Sequence, residues 1–167
     1  MPVKTLPSAE YLRECFDYDP QTGMLRWRVR PKEHFAGKRH WAVTTWNAQW
    51  AGKIVGNLSD RGYRTTAVDG VNYRVSRLIW KLMTGEDPLN TVDHRNGKRD
   101  DNRWDNLRVA TQAQQMFNTG RRGIYQQDGR WRVRIAKRSF GMYGTYEEAL
   151  AVYEREAHIL FGEFYRK

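Results

Sequence analysis

The 167 residues include one cysteine, Cys15, which excludes an internal disulfide and a multi-cysteine zinc site. A reducing cytoplasm is the expected setting. No apolar run approaches the roughly 20 residues that a membrane span needs. The opening segment, Met1 to Pro7, lacks the apolar core of a signal peptide. Proline is scarce too: 5 prolines beside 14 glycines, with 40% hydrophobic residues, exclude a low-complexity or disordered chain. Acidic residues fall short of the basic ones, 19 against 29, leaving a net charge of +10. That deficit favours a polyanionic partner. Nucleic acid comes before a membrane surface, because no basic amphipathic helix stands out.

The most informative stretch runs from Asp93 to Asn118. It opens with a carboxylate beside an imidazole, Asp93-His94, and continues through a loop dense in Asn, Asp, Gly and basic residues. A short apolar run, Leu107 to Ala110, follows. Thr111 then starts a helical segment, and Thr111 with Gln114 fits a capping box. The outline is strand, long polar loop, strand, helix. An imidazole of near-neutral pKa can take a proton from water, and an aspartate is a hard oxygen ligand for a divalent ion. The side-chain carbonyl of Asn106 is placed to hold one imidazole N–H and fix the tautomer. Gln115 and Asn118, three apart on a helix, present amide oxygens on one face. Adjacent strand residues point to opposite faces, so Asp93 and His94 share a site only where the strand ends or bends. The other reading of the stretch is a turn-rich loop whose Asn and Asp side chains serve their own backbone.

Asp93-His94, Asn96-Gly97, Asn102-Arg103, Asn106-Leu107-Arg108, Thr111 and Asn118 together resemble the HNH endonuclease family, specifically its phage homing-endonuclease branch. The resemblance implies a ββα-metal fold that cuts DNA phosphodiesters with one divalent ion, Mg2+ or alternatively Mn2+. It places His94 on the general base, Asp93 on a metal ligand and Asn106 on the residue that orients the histidine. Gln115 stands where the family has a metal-binding Asn or His. Its extra methylene moves the amide oxygen outward: either the site tolerates Gln115 as a ligand, Asn118 helps, or metal binding is weakened. No small-molecule cofactor is implied.

Ahead of this stretch, Ser8 caps a short helix over residues 8–16, and a turn at Asp19 to Gly23 leads into a strand-like run, Met24 to Arg30. Arg26, Arg28 and Arg30 would line one face of that strand, either tracking a phosphate backbone or lying in solvent. From Pro31 to Ala51 no periodicity survives. The basic and aromatic residues there, Lys38, Arg39, Trp41, Trp46 and Trp50, either grip nucleic acid by charge and stacking or cover the core from an irregular loop. His34 and His40, for which the sequence suggests no acidic partner, read as surface residues. Asp69-Gly70 between two strand-like runs is the strongest short hairpin signal in the chain. A helix from Ser76 to Met83 follows it, stopped by Gly85.

After Asn118 the sequence becomes a Gly-flanked basic linker, then three strand-like runs and a helix from about Tyr146 to Phe161 capped by Thr145. Along the middle strand Trp131, Val133 and Ile135 alternate with Arg130, Arg132 and Arg134. Seven basic residues between 121 and 138, among them Arg122, Lys137 and Arg138, face one acid, Asp128. A β surface this basic suits a major groove. Arg122-Gly123-Ile124, the Trp131 to Ile135 strand, Phe140-Gly141-Met142-Tyr143, Glu147-Glu148-Ala149 and Phe161-Gly162-Glu163-Phe164 resemble the Apetala-type, ethylene-response-factor DNA-binding domain. The resemblance implies groove reading by the sheet. Tyr125 and Gln127 stand where plant members carry arginines, so their base preference does not transfer.

The expected fold is therefore α+β. A ββα-metal nuclease core over residues 1–118 is followed by a linker at 119–121 and a three-stranded antiparallel sheet packed on one helix over 122–167. The expected function is a site-recognising DNA endonuclease acting on double-stranded DNA in the cytoplasm of a phage-infected bacterium, with a monomer favoured and the oligomeric state left open by the sequence. The alternative is a DNA-binding protein that keeps the nuclease scaffold without its activity.

Overall fold

In the computed structural model, which describes residues 5–111, 114 and 123–165, the first helix begins at the expected cap. The Ser8 hydroxyl accepts from the Tyr11 N–H and starts α1 (Ala9–Cys15), whose buried side Ala9, Leu12 and Cys15 form. The chain divides into two compact units, Met1–Val109 and Ala110–Lys167.

In the first unit α1 runs into β1 (Phe16–Asp19), paired antiparallel with β2 (Met24–Trp27). Leu25 and Trp27 alternate inward while Met24 and Arg26 face out. The strand stops at Trp27, short of the expected Arg30. Arg30 is buried, paired with Asp69 at 2.9 Å, and its guanidinium lies over the rings of Tyr11, Phe35 and Trp46. An arginine placed this way ties α1, the following segment and the 64–74 hairpin together; it is not one of a row of phosphate contacts. His34 also departs from expectation. Its side chain is buried, with Nε2 2.6 Å from Glu14 Oε2, an acid twenty residues away in sequence. His40 is exposed, as expected.

The stretch expected to be irregular contains a turn of 3-10 helix at Lys32–Phe35 and a regular helix, α2 (Ala42–Trp50). Trp46 of α2 packs edge-on against Trp27, with centroids 4.9 Å apart, so at least this tryptophan covers the core. A three-stranded sheet follows, β3 (Asn57–Leu58), β4 (Arg64–Val68) and β5 (Val71–Arg74), in that order. Val68 pairs with Val71 across a two-residue turn, in which Asp69 and Gly70 both take positive φ, 49° and 81°. That handedness matches the twist of the flanking strands.

Val75, Leu78 and Ile79 then give α3 (Val75–Thr84) a continuous buried stripe, and Gly85, at φ 81°, ends it in the left-handed conformation. Leu78 and Ile79 are fully buried, and burial of this kind contributes about 1.5–3 kcal/mol per side chain. The core they join holds Leu12, Phe16, Leu25, Val55, Val68, Val92 and Leu107. On this support sit β6 (Thr91–His94) and β7 (Leu107–Ala110), a two-stranded sheet joined by a polar loop.

The second unit contains an antiparallel sheet of β8 (Ile124–Gln127), β9 (Arg130–Ile135) and β10 (Arg138–Tyr143), with β9 central. Its helix is α4 (Tyr146–Phe161). Thr145 and Glu148 form a complete capping box at the start of α4. Val133 and Ile135 meet Ala149, Tyr153 and Ala157 in a small core, while Arg130 and Arg134 are exposed. The alternation read from the sequence is thus the alternation of the strand.

Candidate active site

The site is built at the point where β6 stops. Val92, Asp93 and His94 are all buried, so the ordinary in-out alternation has already failed there. The His94 carbonyl accepts from the Gly97 N–H at 2.9 Å, turning the chain immediately after the histidine. This ending strand lets neighbouring residues serve one site, as the sequence required.

Each side chain has a fixed neighbour. Asp93 Oδ2 accepts from Arg108 Nε at 3.1 Å, and both side chains are about 95% buried, at 6% and 5% relative exposure. His94 Nε2 lies 3.1 Å from Asn102 Oδ1. With the amide oxygen as acceptor, the neutral imidazole carries its proton on Nε2 and its lone pair on Nδ1. Burial pushes the His94 pKa below the ordinary 6.5, against the opposing pull of the Asn102 hydrogen bond and of Asp93, Asp101 and Asp100. A neutral imidazole is the form a general base needs.

Asn106 does something other than expected. Its Oδ1 accepts from the Asn96 N–H at 2.9 Å, and its Nδ2 donates to the Asp101 carbonyl at 2.7 Å. Both ends of the amide are committed to the loop, and the imidazole contact belongs to Asn102. Asn106 therefore fixes the loop that carries Asn102, so its influence on His94 is indirect. Asp101 strengthens the same loop by accepting from Asn96 and from Arg103. The Arg103 side chain, first among several donors, holds the Asp101 carboxyl well below the usual carboxylate range.

The β1–β2 turn buttresses the loop from outside. Tyr18 donates its hydroxyl to the Asn102 carbonyl at 2.8 Å, and the Trp104 N–H donates to Pro20 O at 3.0 Å. The approach is so close that a Cβ on Gly23 would stand 2.4 Å from the Arg103 nitrogen. Gly23 also has φ 73°, so both space and backbone demand glycine there.

Thr111 and Gln114 exchange the reciprocal bonds of a capping box: Thr111 N to Gln114 Oε1 at 2.8 Å, and Gln114 N to Thr111 Oγ1 at 3.3 Å. The expected ligands Gln115 and Asn118, and the expected DNA contact Arg122, lie outside the described residues. Among the described residues no group of three His, Cys, Asp or Glu side chains could hold a metal ion. Asp93 fits one hard-oxygen ligand by its chemistry, and any further protein ligands must be neutral or come from elsewhere.

Sequence reasoning missed Arg108 as the partner of Asp93, although the Asn106-Leu107-Arg108 pattern contained it. It also missed Asn102 as the partner of the imidazole, and Tyr63, whose ring centroid is 5.9 Å from that of His94. A separate cleft of roughly 490 Å³, lined by Trp46, Trp50, Lys38, Asn57 and Asn72 among others, lies beside α2 and the β3–β5 sheet and does not include the Asp93-His94 pair.

In the second unit the basic face is real but uneven. Arg132 is half-buried and donates to Gln127 Oε1 at 2.7 Å, and Arg130 donates to the Met142 carbonyl at 3.1 Å. Arg134, Lys137 and Arg138 are exposed. No acid occurs on any of the three strands.

The strand thus ends in a buried Asp-His pair, followed by a tethered polar loop and a returning strand. Residues 73–117 match the family model described as HNH endonuclease. The match supports nuclease chemistry of the hydrolase kind for that segment, with nucleic acid as the substrate and a divalent ion as the family's general requirement. No curated protein and no solved structure matches the chain.

Proposed function

We propose that the protein is a metal-dependent, site-recognising DNA endonuclease of the phage homing type, with a nuclease domain over about residues 1–118 and a DNA-binding module over 122–167. The observation that carries this reading is the neutral, buried His94 held by Asn102 beside the Asp93 carboxylate. His94 Nδ1 takes a proton from the attacking water, and Asn102 keeps the ring in the tautomer that leaves Nδ1 its lone pair. Asp93, with Gln115 or Asn118, holds the divalent ion, Mg2+ or Mn2+. When bound, that ion supplies polarisation of the phosphate and stabilisation of the leaving oxygen. The basic outer face of β9, with Arg134 foremost, follows the major groove and selects the site.

A second reading is favoured by one observation. His94 is 2% exposed, and Asp93 is already ion-paired with Arg108. A scaffold that binds DNA without cutting it would tolerate both features. Incubation of supercoiled plasmid with Mg2+ or Mn2+, with and without excess EDTA, separates the two. The nuclease reading expects divalent-dependent nicks that map to defined positions. Intact plasmid under every divalent condition would support the scaffold reading, and cleavage undiminished in EDTA would remove the metal from the mechanism.

A further inference from the structure

The turn that precedes β4 delivers an aromatic ring to the nuclease site. Ser59 closes it twice, its N–H donating to the Tyr63 carbonyl at 2.8 Å and its hydroxyl accepting from the Tyr63 N–H at 3.2 Å. Tyr63 is thereby held beside His94. Two guanidiniums rest on the same ring: Arg74 Cζ lies 4.1 Å and Arg99 Cζ 5.1 Å from its centroid. Arg74 comes from the end of β5 and Arg99 from the loop after His94. Arg99 donates to the Arg61 carbonyl at 2.9 Å, which ties that loop to the turn.

Among the described residues neither arginine is ion-paired with a carboxylate. Arg77, in the first turn of α3, adds a third positive charge that acts against Arg74, and Asp87, which offsets Arg77 electrostatically, is engaged by Lys81 at 2.8 Å. Like charges gathered on one ring repel unless an anion joins them. Stacking holds a guanidinium by its face and leaves its N–H edge for a planar, bidentate acceptor. A phosphodiester oxygen pair is such an acceptor.

We propose that Tyr63, Arg74 and Arg99 form a phosphate clamp that takes one backbone phosphodiester of a nucleic-acid strand beside His94. The assignment rests on the nuclease reading for its substrate, and it adds the groups that hold the strand against the base. The clamp grips ground state and transition state alike, so it acts on binding and positioning, with no proton transfer of its own.

The test is binding of labelled duplex by the full-length protein in EDTA, across a salt series, with thermal unfolding of each variant as a fold control. Arg74→Gln and Arg99→Gln should each weaken target and scrambled duplexes equally and lower the slope of log K against log salt by about one unit. The double variant should lose about two units of slope. Arg74→Lys should keep the slope. Should Arg74→Gln fail to fold, Arg99→Gln, on an exposed loop, decides alone. Folded variants that retain the full slope would overturn the clamp, and so would a wild-type protein with no salt-dependent duplex binding. A cleavage arm with Mg2+ keeps the two readings apart. Loss of slope without any wild-type cleavage leaves the clamp and removes the nuclease. Cleavage with unchanged slope and unchanged KM in both variants leaves the nuclease and removes the clamp.

Discussion

Arg108 determines the environment of Asp93. Both are buried, and neither is stable there without a counter-charge. Arg108→Ala removes the positive charge buried against the carboxylate, which is expected to cost about 3–5 kcal/mol of stability. Urea unfolding of the variant measures this; a loss below 1 kcal/mol, on the same scale, would mean that solvent reaches Asp93 freely. His94 makes a second prediction at this scale. Burial holds its folded pKa below 6.5, so the unfolded chain takes up the proton first as pH falls. The neutral ring's contribution to stability is therefore complete above about pH 6.5 and is lost as pH falls through the folded value. The acid limb of kcat/KM should likewise lie below 6.5, and a limb at or above it would contradict a buried neutral base. Asp93 and His94 were legible because their types and their adjacency are chemical statements. The division of labour between Asn102 and Asn106 was not. Two amides in one loop have the same donors and acceptors, and only the folded path of residues 95–106 decides which meets the ring. The partners of Arg30 and His34 were hidden for a simpler reason, since Asp69 and Glu14 lie far off in sequence.

Among the elements, those with local chemistry at their ends were legible: Ser8 before α1, Asp69-Gly70 between β4 and β5, Gly85 after α3, and Thr145 with Glu148 at α4. Helix α2 has no such mark. Trp41 sits at its cap without a side-chain bond, and its Val, Thr, Trp and Asn residues are weak helix formers. It is held by tertiary packing of Trp46, which no local pattern announces. The β1–β2 hairpin shows what such elements do for the site. Its turn presses on the Asn102–Trp104 segment, so Gly23→Ala should push the loop away from His94. The left-handed conformer alone costs about 1–2 kcal/mol for a residue with a Cβ, and the clash with the Arg103 backbone adds to it. Stability and cleavage should both fall in Gly23→Ala, whereas the exposed Gly37→Ala, which meets no atom within 4 Å, should pay only the conformer cost. Equal effects of the two substitutions would deny the hairpin its role as a buttress.

At the scale of the whole molecule the proposed function puts chemistry in one unit and recognition in the other. Residues 1–118 alone should keep divalent-dependent cleavage and lose target preference. In the full chain, Arg134→Ala should cost about 1–3 kcal/mol on the target duplex if the side chain reads guanine. Arg132→Ala should cost less than its exposed neighbour, because Arg132 is already committed to Gln127. Competition binding with target and scrambled duplexes measures both, and full preference in the truncated protein would move recognition into the first unit. The alternation that produced the arginine face was legible at once, because a period of two fixes which residues share a side.

The central claim is that His94 is the base of a phosphodiester cleavage. His94→Ala in the full-length protein, assayed for plasmid cleavage with Mg2+ and for duplex binding in EDTA, tests it most directly. The account predicts a cleavage rate lower by about 10²–10⁴-fold, with affinity for duplex close to that of the parent, since a buried imidazole adds little to the basic surface. A variant that binds DNA and still cuts it at the parental rate would contradict the account.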